Sequence, residues 1–243
     1  MSLDRVQSYL KTGFEKVPGW CSPRFLEIAG LLAEEMRMEG VVGGACEIGV
    51  SQGKFFIGLT HAVEGRSSLA IDLFDNQDEN IDGSGAGQPD MLAGFLESVR
   101  QYGCNSVEHM QRNSFDLDVR DIIKIIDNFG KFQIFSIDGG HTAESVVNDY
   151  TFAESVTHHG GIIIVNDITN TGWPGVMDGI ARLFIGGKPK FVPVLIGHNK
   201  LILAGLSFHA RYLKALREKL PVHLPDLNFR VAPLFGHNLI ALV

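Results

Sequence analysis

The sequence is poor in cysteine. Cys21, Cys46 and Cys104 are the only three in 243 residues, widely spaced and odd in number, which excludes a Cys-x-x-Cys zinc site and a disulfide framework and fits a reducing compartment. Long apolar runs are also missing. No stretch reaches the ~18 residues of a membrane span, and the polar start MSLDRVQSYLKTGFEK lacks the apolar core of a signal peptide. There is no Lys/Arg run either: 21 basic residues against 28 acidic ones leave a formal charge of −7, which disfavours nucleic acid and anionic membranes as partners. Repeats and low-complexity segments are absent. These absences predict a cytoplasmic protein with no membrane or nucleic-acid partner.

What is present is a chain that is 45% hydrophobic and 20% charged, enough to bury a full core. From Cys21 to Gly40, Phe25, Ile28, Leu31, Leu32 and Met36 recur at helical steps after Ser22-Pro23, a helix start. Apolar runs follow at Ala45–Val50, Leu69–Phe74, Ser106–Met110, Phe132–Ile137 and Gly161–Val165. Helical patterns separate them at Lys54–Ala62, Met91–Tyr102, Asp118–Asn128 and Glu144–His158. Strands apolar on both faces and alternating with helices predict a doubly wound α/β fold with a mostly parallel sheet. Phe191–Ile196 and Leu201–Leu206 flank Gly197-His198-Asn199-Lys200 as a hairpin, which adds a final antiparallel strand. The division reads as N-terminal helices at 1–40, a nucleotide-binding domain at 41–206, and an extension at 207–243 that packs on the domain or on a partner subunit of a homo-oligomer.

In such sheets ligands bind beyond the carboxyl ends of the strands. The first strand ends in Glu47-x-Gly49-x-x-x-Gly53, with Ser51 inside a turn that opens a helix. Its glycines permit a tight turn and close ligand approach, and a helix N-terminus favours polar groups. Glu47 stands where a dinucleotide fold has its first glycine, which disfavours a nicotinamide-dependent oxidoreductase. Asp72 ends the second strand about 20 residues on, where such folds hold a ribose. Asn113 and Ser114 follow the third strand. They either meet a base or form a helix cap at Ser114.

Asp138 ends the fourth strand, and Asn166 and Asp167 the fifth. Adjacent parallel strands lie about 4.8 Å apart, so these oxygens can converge on one hard cation such as Mg²⁺. The alternative, a loop cap at Asp138 and an ion pair at Asp167, stays open. His141 follows Gly139-Gly140 at a strand end, a place for a proton acceptor or for a side chain that orients a carboxylate. His158-His159 read as a helix end. The stretch Asp75–Asp90, rich in Gly and acids, reads as a mobile lid.

Together, Glu47-x-Gly49-x-x-x-Gly53, Asp72, Ile137-Asp138-Gly139-Gly140-His141 and Gly160-Gly161 before Asn166-Asp167 resemble the class I S-adenosylmethionine-dependent methyltransferases over roughly residues 40–206. Within that class they are similar to the small bacterial O-methyltransferases, including macrocin-type and cephalosporin hydroxylase-like proteins. The resemblance implies a Rossmann-like seven-stranded sheet. It implies S-adenosylmethionine held by Glu47, Gly49, Ser51, Gly53, Asp72, Asn113, Ser114 and Asp138, and Mg²⁺ held by Asp138, Asn166 and Asp167. It also implies methyl transfer to a hydroxyl of a small molecule or sugar. The macrocin-type acid two residues beyond the strand-four Asp is Gly140 here, which makes His141 the substitute base, beside Asp138. A non-catalytic protein that binds the cofactor as a partner subunit is the remaining alternative.

Overall fold

The computed structural model describes residues 2–63, 66–85, 88–104 and 106–243. Helices α1 (Ser2–Thr12) and α2 (Pro23–Met38) lead into β1 (Ala45–Ile48), α3 (Lys54–Ala62), β2 (Ser68–Asp72), α4 (Met91–Tyr102) and β3 (Val107–Gln111). Then come α5 (Val119–Phe129), β4 (Phe132–Ile137), α6 (Ala143–Val156), β5 (Thr157–Asn166) and α7 (Pro174–Gly186). The chain closes with β6 (Phe191–Gly197), β7 (Lys200–Gly205), α8 (His209–His223), β8 (Phe229–Leu234) and β9 (His237–Leu242). Among the described residues no helix is long and apolar enough to cross a membrane.

The strands form one sheet in the order β3-β2-β1-β4-β5-β7-β6-β9-β8. The first five are parallel, β7 runs antiparallel to both β5 and β6, and β9 pairs parallel with β6. The fold is therefore doubly wound α/β, mostly parallel, and Rossmann-like. Among the described residues the sheet has nine strands rather than the expected seven, because residues after α8 form the β8–β9 hairpin and extend the edge at β6.

Alternation along the central strands divides the core. Ile162 and Ile164 of β5 face α1, α2, α3 and α8, while Ile163 and Val165 face α5, α6 and α7. A third cluster joins Phe95 of α4 to Phe56 and Phe74. Strand order reverses between β1 and β4, the point at which open α/β sheets leave a crevice. Gly49 makes the reversal passable. Its φ is +83°, and a Cβ there would lie 1.9 Å from the carbonyl oxygen of Asp138, so only glycine lets the ends of β1 and β4 come this close.

Candidate active site

A cavity of about 280 Å³ opens at that reversal. Gly49, Ser51, Asp72, Asn113, Ser114 and Asp138 line it. Asp72 is fixed by two backbone donors: Ser51 N–H donates to Oδ2 at 2.9 Å and Phe74 N–H to Oδ1 at 2.6 Å. Burial raises its pKa against the pull of those donors. The short 3-10 turn after β3 is capped by Asn113, whose Oδ1 accepts from Phe115 N–H at 3.1 Å; Ser114 does not supply the cap.

Glu47 and Gly53 lie off the cavity lining. Gly53, at φ +94°, is the N-cap of α3 and packs toward Phe95. Glu47 is buried beneath the floor. Ser136 Oγ donates to its Oε1 at 2.7 Å, and Asn166 Nδ2 donates to Ser136 Oγ at 3.0 Å and to Ile137 O at 2.9 Å. This chain ties β1, β4 and β5 together under the site. It leaves Glu47 Oε2 and Asn166 Oδ1 buried without a partner among the described residues. Burial, reinforced by the Asp138 charge, drives the Glu47 pKa well up, so the carboxyl favours its neutral form.

At the ends of β4 and β5, single ligand atoms of Asp138, His141 and Asp167 lie within 4.8 Å of one another. Asn166 borders the same small recess as Asp138 and His141. Burial pushes Asp138 up to about 6, with a further push from Asp167 and an opposing pull from Lys200. Asp167 behaves oppositely. Burial raises its pKa, but hydrogen bonds from His141, Asn170 and Asn199 outweigh that and hold it at about 2. Asn170 Nδ2 and Asn199 Nδ2 each donate to Asp167 Oδ1 at 2.7 Å, which sustains the left-handed φ of +59° at this non-glycine residue.

His141 sits between two carboxylates. Its Nδ1 is 2.7 Å from Asp82 Oδ2 and its Nε2 is 3.5 Å from Asp167 Oδ2, and its ring stacks on Trp173 at 4.4 Å. Burial lowers its pKa, yet the bonds to Asp167 and Asp82 prevail and leave it raised. Two residues of this region make contacts that the sequence did not reveal. Asp82 comes from the presumed lid. Asp149 of α6 is buried behind Gly139 and Ser114; its Oδ1 accepts from Asn148 Nδ2 at 3.1 Å, and its Oδ2 has no partner among the described residues. A Cβ on Gly139 would lie 2.9 Å from that oxygen, and burial raises the carboxyl to about 6. The signal for Asp149 was an acid on the stripe Val146, Asp149, Tyr150, Ala153, all of which are buried.

A Rossmann-like sheet with a glycine-shaped crevice and an acid-rich strand edge defines the class as an α/β protein with a methyltransferase architecture. A model described as a methyltransferase domain matches residues 46–168, and the chain belongs to that family. Among solved structures it is similar to the O-methyltransferase NovP, at 18% identity over 76% of this chain and 80% of that one, with a TM-score of 0.56. It is also similar to CalS11, a calicheamicin methyltransferase, at 16% identity over 84% and 91% of the two chains, with a TM-score of 0.53. Among curated proteins, the uncharacterised protein R132 of Acanthamoeba polyphaga mimivirus is 29% identical over 99 residues. That match spans 40% of this chain and less than half, 43%, of R132.

Proposed function

We propose that the chain is an S-adenosylmethionine-dependent O-methyltransferase acting on a hydroxyl of a small molecule or sugar, with help from a divalent cation. The observation that carries this reading is the union of the crevice cavity with the Asp138, His141 and Asp167 cluster at one strand edge. In it, Gly49 and Ser51 form the wall of the cofactor turn, Asp72 faces the ribose hydroxyls, and Asn113 and Ser114 meet the base. Glu47 and Gly53 shape the floor and the helix start instead of touching the cofactor. When bound, S-adenosylmethionine supplies a sulfonium methyl that is already electrophilic, so the protein's task is alignment of the acceptor and removal of its proton.

The donor set suits Mg²⁺. Asp138, Asn166 and Asp167 offer hard oxygens, and Asn166 Oδ1, a buried acceptor without a donor among the described residues, is the kind of atom a cation satisfies. Asp138, Asn166 and Asp167 would hold the cation, which would supply Lewis acidity toward the acceptor oxygen. His141 would take the hydroxyl proton on Nε2 as the acceptor oxygen attacks the methyl of bound S-adenosylmethionine, whose sulfur would leave with the electrons of the carbon–sulfur bond. The products are a methyl ether and S-adenosylhomocysteine.

The test is calorimetry with S-adenosylhomocysteine, followed by mass spectrometry of candidate hydroxylated acceptors with labelled S-adenosylmethionine, with and without chelator. Binding that survives chelation, with transfer that does not, is the expected pair. No binding at sub-millimolar ligand removes the cofactor reading, and full transfer in excess chelator removes the metal.

A further inference from the structure

The segment between β2 and α4 bends back to the sheet edge by way of its own polar side chains. Asn80 Oδ1 accepts from the backbone N–H of Asp82 and of Gly83, both at 3.2 Å, and Ser84 N–H donates to Asp82 Oδ1 at 2.9 Å. Those bonds occupy one carboxylate oxygen of Asp82 and aim the other inward. Asp82 Oδ2 accepts twice from one residue: the backbone N–H of His141 at 2.7 Å and its ring Nδ1 at 2.7 Å. The two side chains are only 7% and 11% exposed, although neighbours such as Ile81, Gly83 and Ser84 are exposed.

The chemistry of that double contact fixes the ring. A carboxylate only accepts, so Nδ1 carries the hydrogen and stays tied to Asp82, and Nε2, 3.5 Å from Asp167 Oδ2, is the nitrogen left to exchange a proton at the strand edge. Backbone and ring donors converging on one oxygen set both the ring's position and its rotation, and Trp173 stacked at 17° closes one face. Nε2 is thereby directed at the Asp138 and Asp167 cluster. An outer carboxylate that holds a histidine in one tautomer and orientation is a recurrent device in sites where that ring does chemistry.

We propose that Asp82 is a positioning residue for His141, so that the loop walling the cavity also completes the proton-accepting group. This inference rests on the reading of His141 as proton acceptor. The loop's residues Gln77, Asn80, Ile81 and Ser84 line the cavity, so the segment that meets the bound ligand is the one that orients the ring. A loop held away from the sheet would leave His141 without its partner.

The experiment is a double-mutant cycle on the full chain with the metal present, read by turnover, S-adenosylhomocysteine affinity and imidazole proton NMR. Asp82→Asn keeps an oxygen for the Ser84 N–H but turns a donor toward His141. Asp82→Ala removes both oxygens, and thermal melting checks that each variant folds. Both are expected to lower kcat by about 10- to 100-fold with cofactor affinity within about twofold. The downfield Nδ1 proton resonance of His141 should vanish in both. In a His141→Ala background, Asp82→Asn should cost nothing further. Near-parental kcat in a folded Asp82→Asn protein overturns the proposal, and so does a full additional loss in the His141→Ala background. Near-parental turnover of His141→Ala alone overturns instead the proton-acceptor reading beneath it.

Discussion

An aspartate at position 149 has one oxygen accepting a hydrogen bond from Asn148 at 3.1 Å and another without a partner among the described residues, inside a helix–sheet contact. Burial raises its pKa from the ordinary 3.8 to about 6. Below about pH 4 the folded and unfolded chains both hold this proton. As the pH rises through about 6, the unfolded chain has already released it, and the native state must either keep the proton or bury a charge. Stability present at low pH is thus lost, by on the order of 3 kcal/mol for a shift of about two units. Denaturant unfolding between pH 4.5 and 7.5 should show this fall in the parent and a smaller one in Asp149→Asn; parallel curves would mean that the carboxyl is solvated. Residues differed in how readable they were. Asp72 and Asp138 announce themselves because each ends an apolar run at a strand's carboxyl edge. Asp149 hides because a helix stripe shows an acid but not which face is covered, and Asp82 hides because its partner lies 59 residues on.

The segment 75–85, expected to be a mobile lid, is tethered by side chains. Asp75 Oδ1 accepts from Met91 N–H at 2.7 Å, Gln77 Nε2 donates to Phe74 O at 2.7 Å, and Asp82 reaches His141. Residues 86 and 87 of the presumed lid lie outside the described residues. A loop held by polar bonds with little apolar burial opens at low free energy, so hydrogen exchange there should outpace β4 by orders of magnitude. Saturating S-adenosylhomocysteine should slow exchange at 77–85 by about tenfold or more while leaving β4 unchanged. Identical exchange with and without ligand would make the segment a fixed wall. Two other elements show where pattern reading fails. Helix α7 escaped notice because Gly175, Gly179 and Gly186 interrupt its apolar spacing; Gly179 is there because a Cβ would come within 2.8 Å of Val146 and of the Ala143 carbonyl, where α7 crosses α6. His158 and His159 read as a helix end, yet they belong to β5, since α6 passes into the strand at Thr157 with no turn residue to mark the change.

At the scale of the molecule, parallel topology and the crevice followed from alternating apolar runs, because a strand buried on both faces has few other ways to be satisfied. The sheet's far edge did not. The residues of β8 are only partly buried or exposed and carry Pro233, so their pattern resembles an irregular tail. In the fold, β9 pairs Ile240 with Leu195 and Ala241 with Ile196, and buries Leu239 and Ile240 on opposite faces of the sheet. The hairpin thus covers β6, whose residues Phe191–Leu195 are all buried and would otherwise form an open apolar edge. Strand β8 takes over as the edge; it carries one charge, Arg230, and Pro233, which has no N–H to offer a further strand. Removing residues 228–243 should therefore act on the whole domain, although it touches nothing in the cavity. Loss of two fully buried aliphatic side chains alone costs about 3–6 kcal/mol, and a domain of this size loses roughly 2–4 °C in Tm per kcal/mol, so a drop of roughly 6–24 °C is expected. Association through the bared β6 edge should accompany it, visible as larger species in size-exclusion chromatography. A truncated protein that melts with the parent and stays as small would show that β6 needs no cover, and that the hairpin is an appendage to a seven-stranded domain.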